Sequence, residues 1–204
     1  MDHLFGIMWF VRMICQHINR NTYEGEAYIY GHDEVIKIIG EIANLLLLKR
    51  ELDLIGDKLH LVTVEDGEEL DIIGHRVRFF DVRSIKTKQF GFTMYYGDGK
   101  KLTCCGDEPF HDCEKEYVYG SEWLLHEAFC LYSQADIFKP YEKNHSTVAD
   151  ACKLAAELKI KNLILYHTED KNLQNRKTLY YNEGREYFSG NLYIPNDLEV
   201  FDIL

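Results

Sequence analysis

The sequence predicts a mixed α/β layered domain, and three observations carry that prediction. Runs rich in β-branched and aromatic residues cluster between residues 59 and 105, as strands do. From residue 123 onward, short apolar runs alternate with stretches of helical periodicity. The chain has 204 residues, 46% hydrophobic and 28% charged, enough for one substantial core. With three prolines, no repeat and no low-complexity tract, residues 1–204 read as a single domain.

The elements follow in order. Residues 4–20 form a helix that is apolar almost all round, hence a core helix. Its strongly apolar run, Leu4–Ile14, is too short to span a bilayer, which takes about 20 apolar residues, and no basic leader or cleavage site marks a signal peptide. A chain opening inside such a helix, with no strand before it, reads as cut at its N-terminus. Strands are expected at 27–30, 59–64, 77–82, 90–96 and 102–105, with a helix at 33–48 that opens on acidic residues. Gly97-Asp98-Gly99-Lys100 is a hairpin signature between two of these strands. Trp123–Leu125 is a short buried strand. Ser146-Thr147 caps a helix from about Val148 to Leu158. Asn162–Tyr166 is an apolar strand, followed by a polar helix near 172–186 and short strands near 192–194 and 199–201.

The net charge of −11 gives no global attraction to polyphosphate, so a nucleic-acid substrate would need a local basic patch or a metal. The basic runs at Lys86–Lys88 and Lys100–Lys101 read as solvated hairpin surface. Six cysteines, at 15, 104, 105, 113, 130 and 152, fit neither a zinc ribbon nor a disulfide framework. They read as buried, reduced thiols of a cytoplasmic protein with no membrane association.

Several polar residues stand directly after expected strands or open a helix. They are Asp107, His126 with Glu127, His145 and His167. Strand ends converging on one edge are where layered α/β folds build sites. Asp and His are common ligands of zinc, with manganese and iron as alternatives.

Five motifs in order resemble the metallo-β-lactamase-fold hydrolases, close to the ribonuclease Z branch. Met1-Asp2-His3-Leu4 resembles the last two ligands of a first metal loop and the start of its helix. Cys105-Gly106-Asp107 is similar to the Gly-Asp that carries a bridging aspartate. Leu125-His126-Glu127-Ala128-Phe129 resembles a His-Glu-Ala-Thr stretch, and His145-Ser146-Thr147 matches a His-Ser-Thr before a helix. Leu163-Ile164-Leu165-Tyr166-His167 resembles the strand that closes in a ligand histidine. The resemblance implies an αββα sandwich whose first sheet lacks its N-terminal strands. It implies Asp2, His3, Asp107 and His167 as metal ligands, His145 and Glu127 as catalytic residues alongside Asp2, and His126 as a supporting or core residue.

Two departures bear on activity. The H-x-H of the first metal loop would precede Met1. At the place of a further ligand histidine stands Arg83, whose guanidinium cannot ligate a metal. His75 could replace it only through a register shift that would flip the whole strand. The expectation is therefore a single metal ion. It would serve a metal-dependent phosphodiesterase or ribonuclease Z-like hydrolase with an impaired site. The alternatives are a non-catalytic truncated remnant that binds metal or a partner, and a thioesterase- or lactamase-like hydrolase. Only 23 residues lie between Arg83 and Asp107, with no long Gly/Pro-rich arm, so a small phosphodiester or other ester is favoured over tRNA. An uncovered sheet edge and apolar surface would favour a homo-oligomer.

Overall fold

The computed structural model describes residues 2–203, without the side chains of Asp2 and His3. Packing divides the chain into two compact units, Met1–Glu65 and Asp66–Leu204.

In the first unit, helix α1 (Asp2–Asn19) precedes β1 (Ala27–Gly31), α2 (Asp33–Leu46), the single turn α3 (Lys49–Leu52) and β2 (Leu59–Thr63). The two strands pair in parallel, Ala27 opposite Leu59. Helix α2 starts where His32 accepts a bond from the Val35 amide and acidic Asp33 and Glu34 meet the positive end of the dipole. The sequence predicts α1 as a helix buried all round. Instead it buries one stripe, Met8, Val11 and Cys15, against Ile39, Ala43 and Leu59. Phe5 and Trp9 stand 70% and 60% exposed.

The second unit is a seven-stranded sheet in sequential order. It comprises β3 (Glu69–Ile72), β4 (His75–Asp81), β5 (Phe90–Tyr96), β6 (Lys100–Cys104), β7 (Trp123–Glu127), β8 (Asn162–Tyr166) and β9 (Asn191–Tyr193). Strands β3 to β6 form an antiparallel meander, and β6 to β9 run parallel. Between the parallel strands lie the short α4 (Lys115–Val118) and α5 (Ala135–Phe138), then α6 (Val148–Glu157) and α7 (Arg176–Gly184). Strands β7 and β8 are central and covered on both faces, which explains their near-continuous apolar runs. One face carries Leu124, Leu163 and Leu165 against Val148, Ala151, Cys152 and Ala155 of α6. The other carries Tyr96, Leu102, Trp123 and Ile164. Gly91 sits opposite Phe80 on β4, and an added Cβ there would meet the Phe80 ring at 2.5 Å and the Cys104 carbonyl at 2.6 Å. Only glycine allows the strands to close at that point.

Several expectations change. The hairpin turn forms as expected, with Gly97 and Gly99 at positive φ. The strand expected at 199–201 does not form, because Glu199 accepts from the Asn196 amide and closes a turn. The helix expected from 172 begins at Arg176, since Glu169 captures the Asn172 amide and side chain first. Strand β3 escaped the pattern, being four residues of mixed polarity. Cys113 is exposed, while Cys15, Cys105, Cys130 and Cys152 are buried. The basic runs are not merely solvated. Lys86 reaches the buried carboxylate of Glu108 at 3.7 Å, and Lys101 donates to the Tyr117 carbonyl at 2.6 Å. No helix among the described residues is long and apolar enough to cross a membrane.

Candidate metal centre and active site

The parallel half of the sheet points the carboxyl ends of β6, β7 and β8 to one edge, and register sets what meets there. Cys104 pairs with Leu125, and Glu127 with Tyr166. Beyond these pairs the chain continues as Gly106-Asp107 after β6 and as His167 after β8. Trp123–Leu125 is longer than the sequence predicts, so His126 and Glu127 are the last residues of β7 and not the loop after it. Side chains alternate along a strand, so His126 and Glu127 point to opposite faces.

Two backbone features aim the ligand-type residues. Gly106 has φ +75° and turns the chain into Asp107. His167 itself has φ +53°, an uncommon conformation for a residue with a Cβ and one often found where strain serves a site. As a result Nε2 of His167 lies 3.8 Å from Oδ2 of Asp107. The hydroxyl of Tyr166, the residue before His167, donates to the carbonyl of Gly106 and pins the two loops together. Burial pushes the Tyr166 phenol well above its ordinary pKa, reinforced by the neighbouring Cys104 thiol, so it stays a donor.

His145 arrives from a loop tied back to β7. Phe129 donates to the Ser146 carbonyl at 3.0 Å and Val148 to the Cys130 carbonyl at 2.9 Å. Thr147 then caps α6 by a reciprocal pair of bonds with Asp150. Glu127 is fully buried and accepts the Ser146 amide through Oε1, leaving Oε2 3.6 Å from Nδ1 of His145. The rings of His145 and His167 are 4.8 Å apart, and Phe129 stacks on His145 at 5.2 Å.

The structure therefore brings Asp107, Glu127, His145 and His167 into one neighbourhood. The side chains of Asp2 and His3, the other two expected ligands, lie outside the described residues. His126 is 1% exposed and its Nδ1 donates to the Glu127 carbonyl at 2.7 Å. Arg83 is held by Asp66 at 3.0 Å and by Asp81 at 3.9 Å, so its charge is committed to carboxylates. His75 pairs with Ile72 at the start of β4, at the opposite end of that strand from Asp81. Sequence reasoning missed Phe129 and Tyr166. Both stood inside recognised motifs, but an aromatic beside a histidine signals packing until its stacking partner is known.

The residues present fit a cation. Ligand atoms of Glu127, His145 and His167 all lie within 4.8 Å of one another. Among the described residues, Oε2 of Glu127 and Nδ1 of His145 are buried without a hydrogen-bond partner, a costly state unless something else satisfies them. Imidazole with carboxylate is a donor set that zinc takes.

No protein-family model matches the chain. In sequence it is similar to ribonuclease Z of Shouchella clausii, 30% identical over 105 residues that cover 52% of this chain and 32% of that protein. The matched stretches span 26–48% of the curated relatives' own length. Among solved structures, it superposes on human tRNase Z, short form, with a TM-score of 0.68 and 18% identity, covering 98% of this chain and 74% of that one. The metallo-β-lactamase fold protein YhfI from Bacillus subtilis gives a TM-score of 0.68 at 17% identity, covering 92% and 70%. The chain has the metallo-β-lactamase fold, and ribonuclease Z proteins are among its homologues.

Proposed function

We propose that the protein is a metal-dependent hydrolase acting on phosphodiesters, and that its site is built on Asp107, His167, Glu127 and His145. The observation that carries this reading is the meeting of Asp107 and His167 from the ends of two parallel strands, beside a buried Glu127–His145 pair. Asp107 and His167 would hold the metal, with Asp2 and His3 completing the set that the resemblance implies. Zinc fits this donor chemistry, with manganese and iron as alternatives. A bound metal ion supplies Lewis acidity and lowers the pKa of water.

The chain's own residues do the rest. The Ser146 amide occupies one oxygen of Glu127, so the other faces His145 and fixes its ring. Phe129 stacks on the ring's flat face. His145 stands to protonate the leaving oxygen, with Glu127 as its positioning partner. Glu127 and His145 could alternatively ligate the metal together with His167, and the retention of metal in a Glu127→Gln variant separates the two readings.

A single metal is expected, because Arg83 stands at the further ligand position and is already paired to Asp66. The acidic charge favours a small phosphodiester over a tRNA precursor. The test is metal content per chain together with hydrolysis of bis(p-nitrophenyl) phosphate. Bound metal with hydrolysis lost in Asp107→Asn and His167→Ala supports the proposal. A metal-loaded chain without hydrolysis would favour a non-catalytic binding role, and hydrolysis of thioesters or lactams in preference to phosphodiesters would assign another substrate class.

A further inference from the structure

Beside His145, on the opposite face of β7 from Glu127, lies a cavity of about 310 Å³. Pro109, Phe110 and Leu154 form its apolar wall, and His126, Tyr141 and Asn144 contribute polar groups. Its volume lies in the range of small-ligand sites. His126 is 1% exposed, and its Nε2 is buried with no hydrogen-bond partner among the described residues.

The hydrogen bonding around His126 decides what that atom can do. Its Nδ1 sits 2.7 Å from the Glu127 carbonyl, which can only accept, so Nδ1 carries the proton. In the neutral ring Nε2 is then a bare acceptor. Two neighbouring donor groups already have acceptors. The Tyr141 hydroxyl donates to Asp150 at 2.9 Å, and one N–H of the Asn144 amide donates to Glu108. The cavity thus presents an unmet acceptor, apolar walls and two carboxylates close by. Such a site rewards a neutral group that brings an N–H.

We propose that this cavity is a binding subsite for a neutral ring bearing an amino group, and that His126 reads the amino N–H through Nε2. Its role as the leaving-group pocket beside His145 rests on the hydrolase reading. The binding itself does not. A phosphodiester would place its phosphorus at the strand ends and an amine-bearing ring of its leaving alcohol in this cavity.

The test is an NMR titration of the full chain with ¹⁵N-labelled histidine, using adenosine and purine riboside, which differ in the amino group. Adenosine should bind at least about tenfold more tightly and move the Nε2 resonance of His126, because an unpaired buried acceptor penalises the ring that lacks the donor. His126→Phe should shrink that preference to less than about twofold. Leu154→Trp, which fills the cavity from α6 with His126 intact, should abolish the shift, and it serves if His126→Phe fails to fold. Equal binding of the two nucleosides overturns the proposal, as does a preference unchanged in His126→Phe or a shift that persists in Leu154→Trp. The titration needs neither metal nor turnover. Absence of phosphodiesterase activity would therefore overturn the proposed function and leave the subsite standing. Absence of adenosine binding in an active protein would overturn the subsite alone.

Discussion

Oε2 of Glu127 and Nδ1 of His145 face each other at 3.6 Å, with Glu127 fully buried and the His145 side chain 11% exposed. That separation is just beyond a hydrogen bond, and neither atom has another partner among the described residues. A small movement of the His145 loop would close it. If Glu127 positions His145, Glu127→Gln keeps its bound metal and loses about 10–100-fold in kcat, the scale seen for supporting partners. His145→Ala should lose about 10²–10⁴-fold, as removal of a proton donor does. Elemental analysis beside steady-state kinetics checks both. Loss of metal in Glu127→Gln would instead make Glu127 a ligand.

Asp107 and His167 should be needed for metal retention. Asp107→Asn and His167→Ala are expected to lower metal content sharply while leaving the far-ultraviolet circular dichroism unchanged. Tyr166→Phe removes the bond that joins their loops at Gly106. It should weaken metal affinity about 10–100-fold, read by competition with a chromophoric chelator. Wild-type affinity in Tyr166→Phe would show that the loops hold their places without it.

Glu114 gives the protein a pH dependence unconnected with the site. Burial raises its carboxyl to about 7 from the ordinary 4.5, although the His111 amide donates to it. The raised value means that the folded state favours the protonated form. Below about pH 4.5 both folded and unfolded chains carry the proton, and nothing is lost. Between 4.5 and 7 the unfolded chain ionises first, so stability falls as pH rises, and above 7 the full cost applies. At about 1.4 kcal/mol per pKa unit that cost is roughly 3 kcal/mol. Glu114→Gln, which keeps the carbonyl that accepts from His111, should raise stability at pH 8 and change little at pH 4.5. Urea melts at the two values measure it, and equal effects at both would refute the assignment.

Thr147 caps α6 through a reciprocal pair of bonds with Asp150, two residues after His145. Thr147→Ala should cost about 0.5–2 kcal/mol of stability. It should also lower kcat more than it raises KM, because the cap anchors the His145 loop. A thermal melt and a kinetic series test the two parts separately.

Phe5 and Trp9 are exposed on α1, and clustered apolar surface of this kind drives association. The isolated chain should elute above its monomer size in gel filtration, and Phe5→Lys with Trp9→Lys should shift it toward monomer. A monodisperse wild-type monomer would remove the case for self-association.

The order of elements was legible along much of the chain. Periodicity marked β5 and β8 at their observed limits, because alternation and apolar runs are local properties of a strand. Four of the five motifs pointed to Asp107, Glu127, His145 and His167, because each sits beside a strand or helix boundary that the pattern itself reveals. Distance lay beyond reach. Asp107 and His167 are far apart in sequence, and only the parallel register of β6, β7 and β8 sets their ends side by side. Burial was equally hidden. Helix α1 looks apolar from every side, yet tertiary packing covers Met8, Val11 and Cys15 and leaves Trp9 in solvent. Partners were hidden as well. Arg83 could be recognised as unable to ligate, but its commitment to Asp66 depends on a turn that brings two distant residues together. The empty acceptor of His126 was invisible for the same reason. A histidine's protonation pattern follows from what its other nitrogen touches, and here that is the carbonyl of the next residue in a strand whose far face opens on a cavity. Local sequence determines which elements form and which chemistries they carry. Long-range register, burial and loop anchoring, which no single segment encodes, decide which of those chemistries meet.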